Sequence, residues 1–246
     1  MSQSLTKQMR RKVARVGDAG RHFLAARSPD WAKRAFGPMA LHADMLLTDH
    51  GIFRAAYLNR HRLDEHAQRA AQPTPGQIAR LGRAGIKTIV NLRGARFCGS
   101  YALETEACDR AGITLVSYVL RSRAAPRPDE IRGAVDLLAR IEYPMLLHCK
   151  SGADRAGLMS VLYLWLHRGV PLEIAKKQLS WKYGHIRQAQ TGVLDHFFES
   201  YLASNRESPI DFWVWLDTVY DPDALKAEYV SSKFADRLVD GILRRE

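Results

Sequence analysis

The spacing of apolar and polar positions divides the chain near residue 51. Before it, Lys, Arg and Ala mix with short apolar groups such as Phe23, Leu24 and Trp31, the pattern of a solvated helical arm. After it, short apolar runs alternate with helical periodicities, which predicts an α/β domain. GIFRAAYL (51–58) reads as a strand and PTPGQIARLGRAG (73–85) as a helix with Pro near its start and Gly at its end. IKTIVNLRG (86–94) reads as a buried strand running into a loop, completing a β-α-β unit. LETEACDRAG (103–112) predicts a helix and ITLVSYVL (113–120) a strand, and RPDEIRGAVDLLARIE (127–142) predicts an amphipathic helix with Asp129 and Glu130 at its positive end. Residues 143–169 give a short apolar strand, a loop and a strongly apolar helix; beyond Gly169 the segments 171–184, 190–204 and 209–220 all carry helical patterns.

With 246 residues, 46% of them hydrophobic, the chain can bury one sizeable core. The expected organisation is a basic helical extension over 1–45, a catalytic domain over 46–205 and a C-terminal helical extension over 206–246. The central sheet should be mostly parallel, with four or five strands flanked by helices. An excess of 37 Lys and Arg over 26 Asp and Glu, net +11, favours anionic partners: phosphate esters, the surface of an anionic membrane, or nucleic acid. No basic and aromatic nucleic-acid module is recognisable, which sets the last apart. The three cysteines, Cys98, Cys108 and Cys149, are too few and too irregular for a disulfide framework or a Cys-rich zinc site, so a reduced, cytoplasmic setting is expected. The N-terminus lacks the apolar stretch of a secretory signal and no segment reaches membrane-spanning length, leaving only peripheral contact at the cytoplasmic face of a membrane. Phe212, Trp213, Trp215 and Tyr220 fit core packing or a membrane-interface patch, and the helical spacing of Phe212 and Trp215 favours the core.

Chemistry concentrates in HCKSGADRAG, from His148 to Gly157. A phosphate dianion needs many donors at once, and a loop closing onto a helix start turns successive backbone N–H groups inward. Lys150, Ser151, Gly152 and Ala153 would supply that cradle, with Gly152 permitting the tight backbone. Arg155 can place its planar fork on two phosphate oxygens, a role Lys fills poorly. The same positive field favours the thiolate as nucleophile, so Cys149 can attack phosphorus to give a phosphocysteine that water then hydrolyses. His148 fits an orienting hydrogen bond to the cysteine better than proton transfer. A cysteine followed six positions later by arginine is common by chance; the preceding His, the Gly at the third position and the strand-to-helix setting give the pattern its specificity.

At HCKSGADRAG the chain resembles the protein tyrosine phosphatase superfamily, and from Gly51 to Tyr201 it resembles the compact, atypical dual-specificity branch, including lipid- and inositol-directed members. The resemblance implies the cysteine-phosphatase fold, with Cys149 as nucleophile, Arg155 as phosphate-binding arginine and Lys150–Asp154 as cradle. Two departures matter. Members commonly carry Ser or Thr directly after the arginine to assist loss of the thiolate, and here Ala156 stands there. The general acid is commonly an Asp in a mobile loop upstream of the cysteine, and the corresponding VSYVLRSRAAP contains no acidic residue.

Asp154 sits where myotubularin-like lipid phosphatases and some bacterial triple-specificity phosphatases carry a loop aspartate considered catalytic. Asp129 is a second candidate acid, which as a helix N-terminal carboxylate would equally stabilise the dipole. Lys150 resembles the lysine that faces a ring phosphate in phosphoinositide 3-phosphatases. Gln188 and Gln190 occupy a segment where relatives place a water-orienting glutamine. Arg93, Arg96, Arg121 and Arg123 fall in loops expected at the carboxyl edge of the sheet. The chemistry needs no metal or organic cofactor, and His42, His50, His61 and His66 form no ligand pattern. The expected substrate is a phosphomonoester, either a phosphorylated lipid or inositol head group or a phosphotyrosine or phosphoserine protein. The alternative is a catalytically impaired phosphate-binding docking module.

Overall fold

The computed structural model describes residues 58–95 and 98–230. The basic arm over 1–45, most of the 51–58 segment, Arg96 and the chain beyond 230 lie outside the described residues.

Five strands form one sheet in the order β1-β2-β5-β3-β4: β1 His61–Arg62, β2 Ala67–Ala71, β3 Thr88–Asn91, β4 Thr114–Ser117 and β5 Met145–Cys149. Only the β1–β2 pairing is antiparallel; the others are parallel. β5 is central and buried along its whole length, as the continuous apolar run before the cysteine requires of a parallel strand covered on both faces. Its register sets Cys149 beside Ala71 of β2, and His148 beside Ala70 of β2 and Asn91 of β3.

The β-α-β unit differs from the sequence expectation at its first strand. Of GIFRAAYL only Leu58 is described, and it lies outside any strand; the strand that pairs with β5 is the alanine-rich AQRAA. Alanine has little β-propensity, and this segment is a strand because both faces are covered by helices. α1 (Pro75–Arg83) has Pro at its first turn, Thr74 donating its amide to Gln77 Oε1 at 2.8 Å, and Gly85 at φ 85° just after it. α2 (Gly99–Ala111) begins four residues before the predicted segment, and α3 (Pro128–Arg140) follows the expected 127–142 closely.

Period-2 alternation along β5 separates two cores. Leu146 packs with Ile89, Ile78, Leu81 and Cys108 under α1 and α2. Met145, Leu147 and Cys149 face the larger cluster, which includes α4 (Asp154–Leu162), buried from Ala156 to Leu162. α6 (Val193–Glu207) and α7 (Phe212–Thr218) close this side with a ring cluster. There Phe197 lies 5.8 Å from Trp215, Tyr201 5.2 Å from Phe212 and Trp165 4.6 Å from Phe212. Phe212 and Trp215 are 4% and 1% exposed, so these two rings are core, and each stabilises the fold by about 1.5–3 kcal/mol.

The segment 171–184, which carries a helical pattern, is broken in the structure. A single helical turn, α5 (Leu172–Ala175), gives way to two 3-10 turns, Lys176–Gln178 and Trp181–Tyr183, separated by Leu179 at ψ 80° and ended by Gly184 at φ 78°. This broken path delivers Gln178, Tyr183 and His185 to the loop after β5.

Candidate active site

The loop from Cys149 to Arg155 is defined by where its carbonyls go. Lys150 O accepts from the Gln72 amide at 3.5 Å and Ser151 O from Asn59 Nδ2 at 3.0 Å. Gly152 O and Ala153 O both accept from Arg69 Nη2, at 2.6 and 2.9 Å. A peptide unit is planar and trans, so a carbonyl held outward turns the following N–H the opposite way. The amides of Ser151, Gly152, Ala153 and Asp154 are thereby aimed into the concavity, and Ser151, Gly152 and Ala153 donate to nothing among the described residues. The first amides of α4 extend the same array, since a helix start leaves its N–H groups unpaired. Gly152 is at φ 75°, and a Cβ there would meet Ala71 N at 2.6 Å, so only glycine fits. The Arg155 side chain is half-buried and has no hydrogen-bond or ion-pair partner among the described residues.

Arg69, fully buried on β2, is the brace behind this array. Its other terminal nitrogen donates to Gln178 O at 2.6 Å and Gln178 Oε1 at 2.9 Å, and its guanidinium stacks 4.1 Å over the Tyr183 ring. Burial lowers its pKa to about 10, against the opposing pull of Cys149, Tyr183 and Asp154, so it remains a cation at neutral pH. Asn59 Nδ2 also donates to Tyr183 O at 2.9 Å, tying the 3-10 turn to the loop.

Two buried histidines flank the loop. His148, at its entry, is fully buried; Nε2 lies 2.6 Å from Glu104 Oε1 and Nδ1 3.2 Å from Cys149 O. Glu104 Oε2 accepts from Gln72 Nε2 and Asn91 Nδ2, both at 2.8 Å, and Arg93 Nη1 donates to Gln72 Oε1. His185, at the exit, joins Asp154 Oδ1 (2.8 Å from Nδ1) to Asp195 Oδ2 (2.6 Å from Nε2). Burial alone would lower its pKa, but the hydrogen bonds and charges of Asp154 and Asp195 prevail and raise it to about 9.

The match to known proteins decides the family: the family model described as DSP-PTPase phosphatase fused to NAD+ kinase covers residues 57–192, more than half of the chain. The chain belongs to this phosphatase family. Among solved structures it is similar to P. aeruginosa TpbA (17% identity, 71% of this chain and 92% of that one, TM-score 0.48). It is also similar to Tk-PTP in its active form (20%, 58% and 98%, 0.45) and to PTPMT1 (18%, 61% and 99%, 0.45). No curated protein matches the chain.

The loop after β4 of this DSP-PTPase carries no acidic residue between Tyr118 and Arg127. Its Arg121 donates to both carboxylate oxygens of Glu130, at 2.8 and 3.1 Å, and to Ala125 O at 3.3 Å. Among the candidate residues, Asp129 is exposed in the first turn of α3, Gln190 is exposed in a 3-10 turn, and Arg123 is exposed. Gln188 lines a cleft of about 400 Å³ with His185 and Asp195. Lys150 is half-buried and Ser151 exposed at the loop, while Ala156 is fully buried directly behind it. The strand, loop and helix from Met145 to Leu162 were legible in the sequence; the placement of Arg69, Asn59, Glu104, His185 and Asp195 around the loop was not, because their positions carry no motif and only the fold brings them together.

Proposed function

We propose that this DSP-PTPase hydrolyses phosphomonoesters through a phosphocysteine on Cys149. The observation that carries the reading is the outward tethering of four successive carbonyls, Lys150 to Ala153, which leaves a preorganised array of amides where a phosphate would sit. Arg155 supplies the planar fork for two equatorial oxygens. Cys149 Sγ forms the bond to phosphorus as the bond to the leaving oxygen breaks, and that oxygen takes its proton from the Asp154 side of the loop. Water then attacks phosphorus and the S–P bond breaks. Ala156 offers no hydroxyl to the departing sulfur, so the second step is the slower one. Net charge +11, Lys150 beside the nucleophile and Asp154 within the loop favour a phosphorylated lipid or inositol head group over a phosphoprotein as substrate. Cys98, Cys108 and Cys149 are all free thiols, as a cytoplasmic enzyme of this mechanism needs.

The test is hydrolysis of para-nitrophenyl phosphate in chelator-treated buffer by wild type, Cys149→Ser and Arg155→Lys. Turnover by wild type with both variants inert supports the mechanism. An inactive wild type that still binds inorganic phosphate points to the docking-module alternative, and an active Cys149→Ser removes Cys149 from the chemistry.

A further inference from the structure

We infer that Asp154, His185 and Asp195 act as one proton-carrying unit, in which His185 supplies the proton that Asp154 passes to the leaving oxygen and Asp195 holds the imidazole in place. The inference rests on the reading of Cys149 as nucleophile and of Asp154 as the group facing the leaving oxygen.

His185 follows Gly184, whose left-handed backbone turns the chain back toward the loop, and its side chain is 0% exposed. Each ring nitrogen is within hydrogen-bond reach of a carboxylate oxygen, 2.8 Å to Asp154 and 2.6 Å to Asp195. An ionised carboxylate only accepts, so both ring nitrogens are donors and the ring is an imidazolium. That state persists through the neutral range, since the two carboxylates raise the imidazole pKa to about 9 against its burial. Asp154 engages His185 through Oδ1, and Oδ2 has no partner among the described residues. Asp195 and His185 also line the 400 Å³ cleft, giving the outer end of the unit access to solvent. The other charged groups around this unit are Arg69 on β2, which attracts Asp154, and Lys176, Lys177, Arg187 and Glu199 in the cleft wall. Glu199 pairs with Lys176 at 3.5 Å and with Arg187 at 2.6 Å, so one carboxylate faces three cations and the cleft wall keeps an excess of positive charge.

The proton then balances across the cycle. As the Sγ–P bond forms and the P–O bond breaks, the His185 Nδ1 proton passes to the Asp154 carboxylate, which hands that one proton to the leaving oxygen and is a carboxylate again. The products are the free alcohol, the phosphocysteine, a neutral imidazole and two carboxylates. When water attacks phosphorus, its proton returns through Asp154 to His185, the S–P bond breaks, and phosphate and the thiolate result. This arrangement accounts for a phosphatase whose loop after β4 holds no carboxylic acid: the acid is stored on the opposite side, on a histidine.

The experiment compares phenyl phosphate, a poor leaving group, with para-nitrophenyl phosphate, a good one, across the pH range for wild type, His185→Gln, Asp195→Asn and Cys149→Ser. Wild-type turnover of phenyl phosphate should fall as pH rises through about 9. His185→Gln should lose ~10²- to 10⁴-fold in kcat/KM on phenyl phosphate and under ~5-fold on para-nitrophenyl phosphate, the signature of a missing proton donor. Asp195→Asn should keep the enzyme active and move the alkaline limb lower, because one of the two carboxylates holding the imidazolium is gone. Equal losses on both substrates with an unmoved limb would overturn the proposal and leave His185 a packing residue. If His185→Gln does not fold, the limb of Asp195→Asn decides alone. An inert Cys149→Ser with an unmoved limb removes only the proton unit; an active Cys149→Ser removes the nucleophile reading beneath it.

Discussion

The two buried histidines beside the phosphate loop make a natural pair for comparison. Each sits against a carboxylate at 2.8 Å or less, and each is sealed from solvent at the ring itself. They differ in what stands behind them. Behind His148, Glu104 is fully buried and accepts from the amides of Gln72 and Asn91, and Gln72 in turn accepts from the Arg93 guanidinium, so the partners beyond Glu104 are donors that do not titrate. Behind His185, Asp195 lines a cleft of about 400 Å³, and ahead of it Asp154 belongs to the loop. A histidine–carboxylate contact is therefore a rigid strut or a proton store depending on its connections, which distance alone does not distinguish.

The strongest way to break that comparison is to remove the brace common to both sides. Arg69→Leu deletes four hydrogen bonds, orphans the carbonyls of Gly152 and Gln178, and leaves Ala153 O with only the Gly157 amide. It should cost about 3–5 kcal/mol of stability, read by denaturant unfolding, and abolish phosphate binding by the loop. On the entry side, Glu104→Gln should destabilise by about 2–3 kcal/mol while leaving the alkaline limb of phenyl phosphate turnover where it is in wild type. A moved limb would mean that His148 also carries a catalytic proton.

The exit side predicts a slope in stability against pH. His185 has a folded-state pKa of about 9, above its ordinary value, so the stabilisation is fully present below the unfolded value and is lost as pH rises through about 9. Screening on the half-exposed Asp154 side limits the effect to about 2 kcal/mol between neutral and alkaline pH. Chemical unfolding at a series of pH values should find this slope in wild type and not in His185→Gln. The smallest effect belongs to Arg121→Ala, whose partly exposed pairing with Glu130 contributes about 1 kcal/mol or less and touches neither histidine. Aryl phosphate turnover should be essentially unchanged in that variant.

What could be read in the sequence follows from what is contiguous. Cys149, the cradle and Arg155 lie in one unbroken stretch between an apolar strand and an apolar helix, so the local order of residues already specifies the amide array. β3, β5, α1 and α3 were legible because turn residues and periodicity agree with tertiary placement. β2 was not, since its alanines carry no strand preference and an arginine in mid-strand reads as a surface position. Arg69 is tolerable there only because four carbonyl and amide acceptors surround its terminal nitrogens. The segment 171–184 carries a helical pattern to the eye, yet its hydrogen bonds break to deliver Tyr183 and His185 to the loop. Asp195 likewise has the look of one more polar residue on an amphipathic helix, and its role depends on a partner ten residues away that no periodicity connects to it.

The central claim is the covalent intermediate on Cys149, and acid quenching during the first turnovers of para-nitrophenyl phosphate tests it most directly. The proposed slow second step predicts a burst of nitrophenol together with a phosphoryl adduct on the Cys149 peptide, detected by mass spectrometry and missing in Cys149→Ser. Steady turnover with no burst and no adduct, retained in Cys149→Ser, would contradict the account.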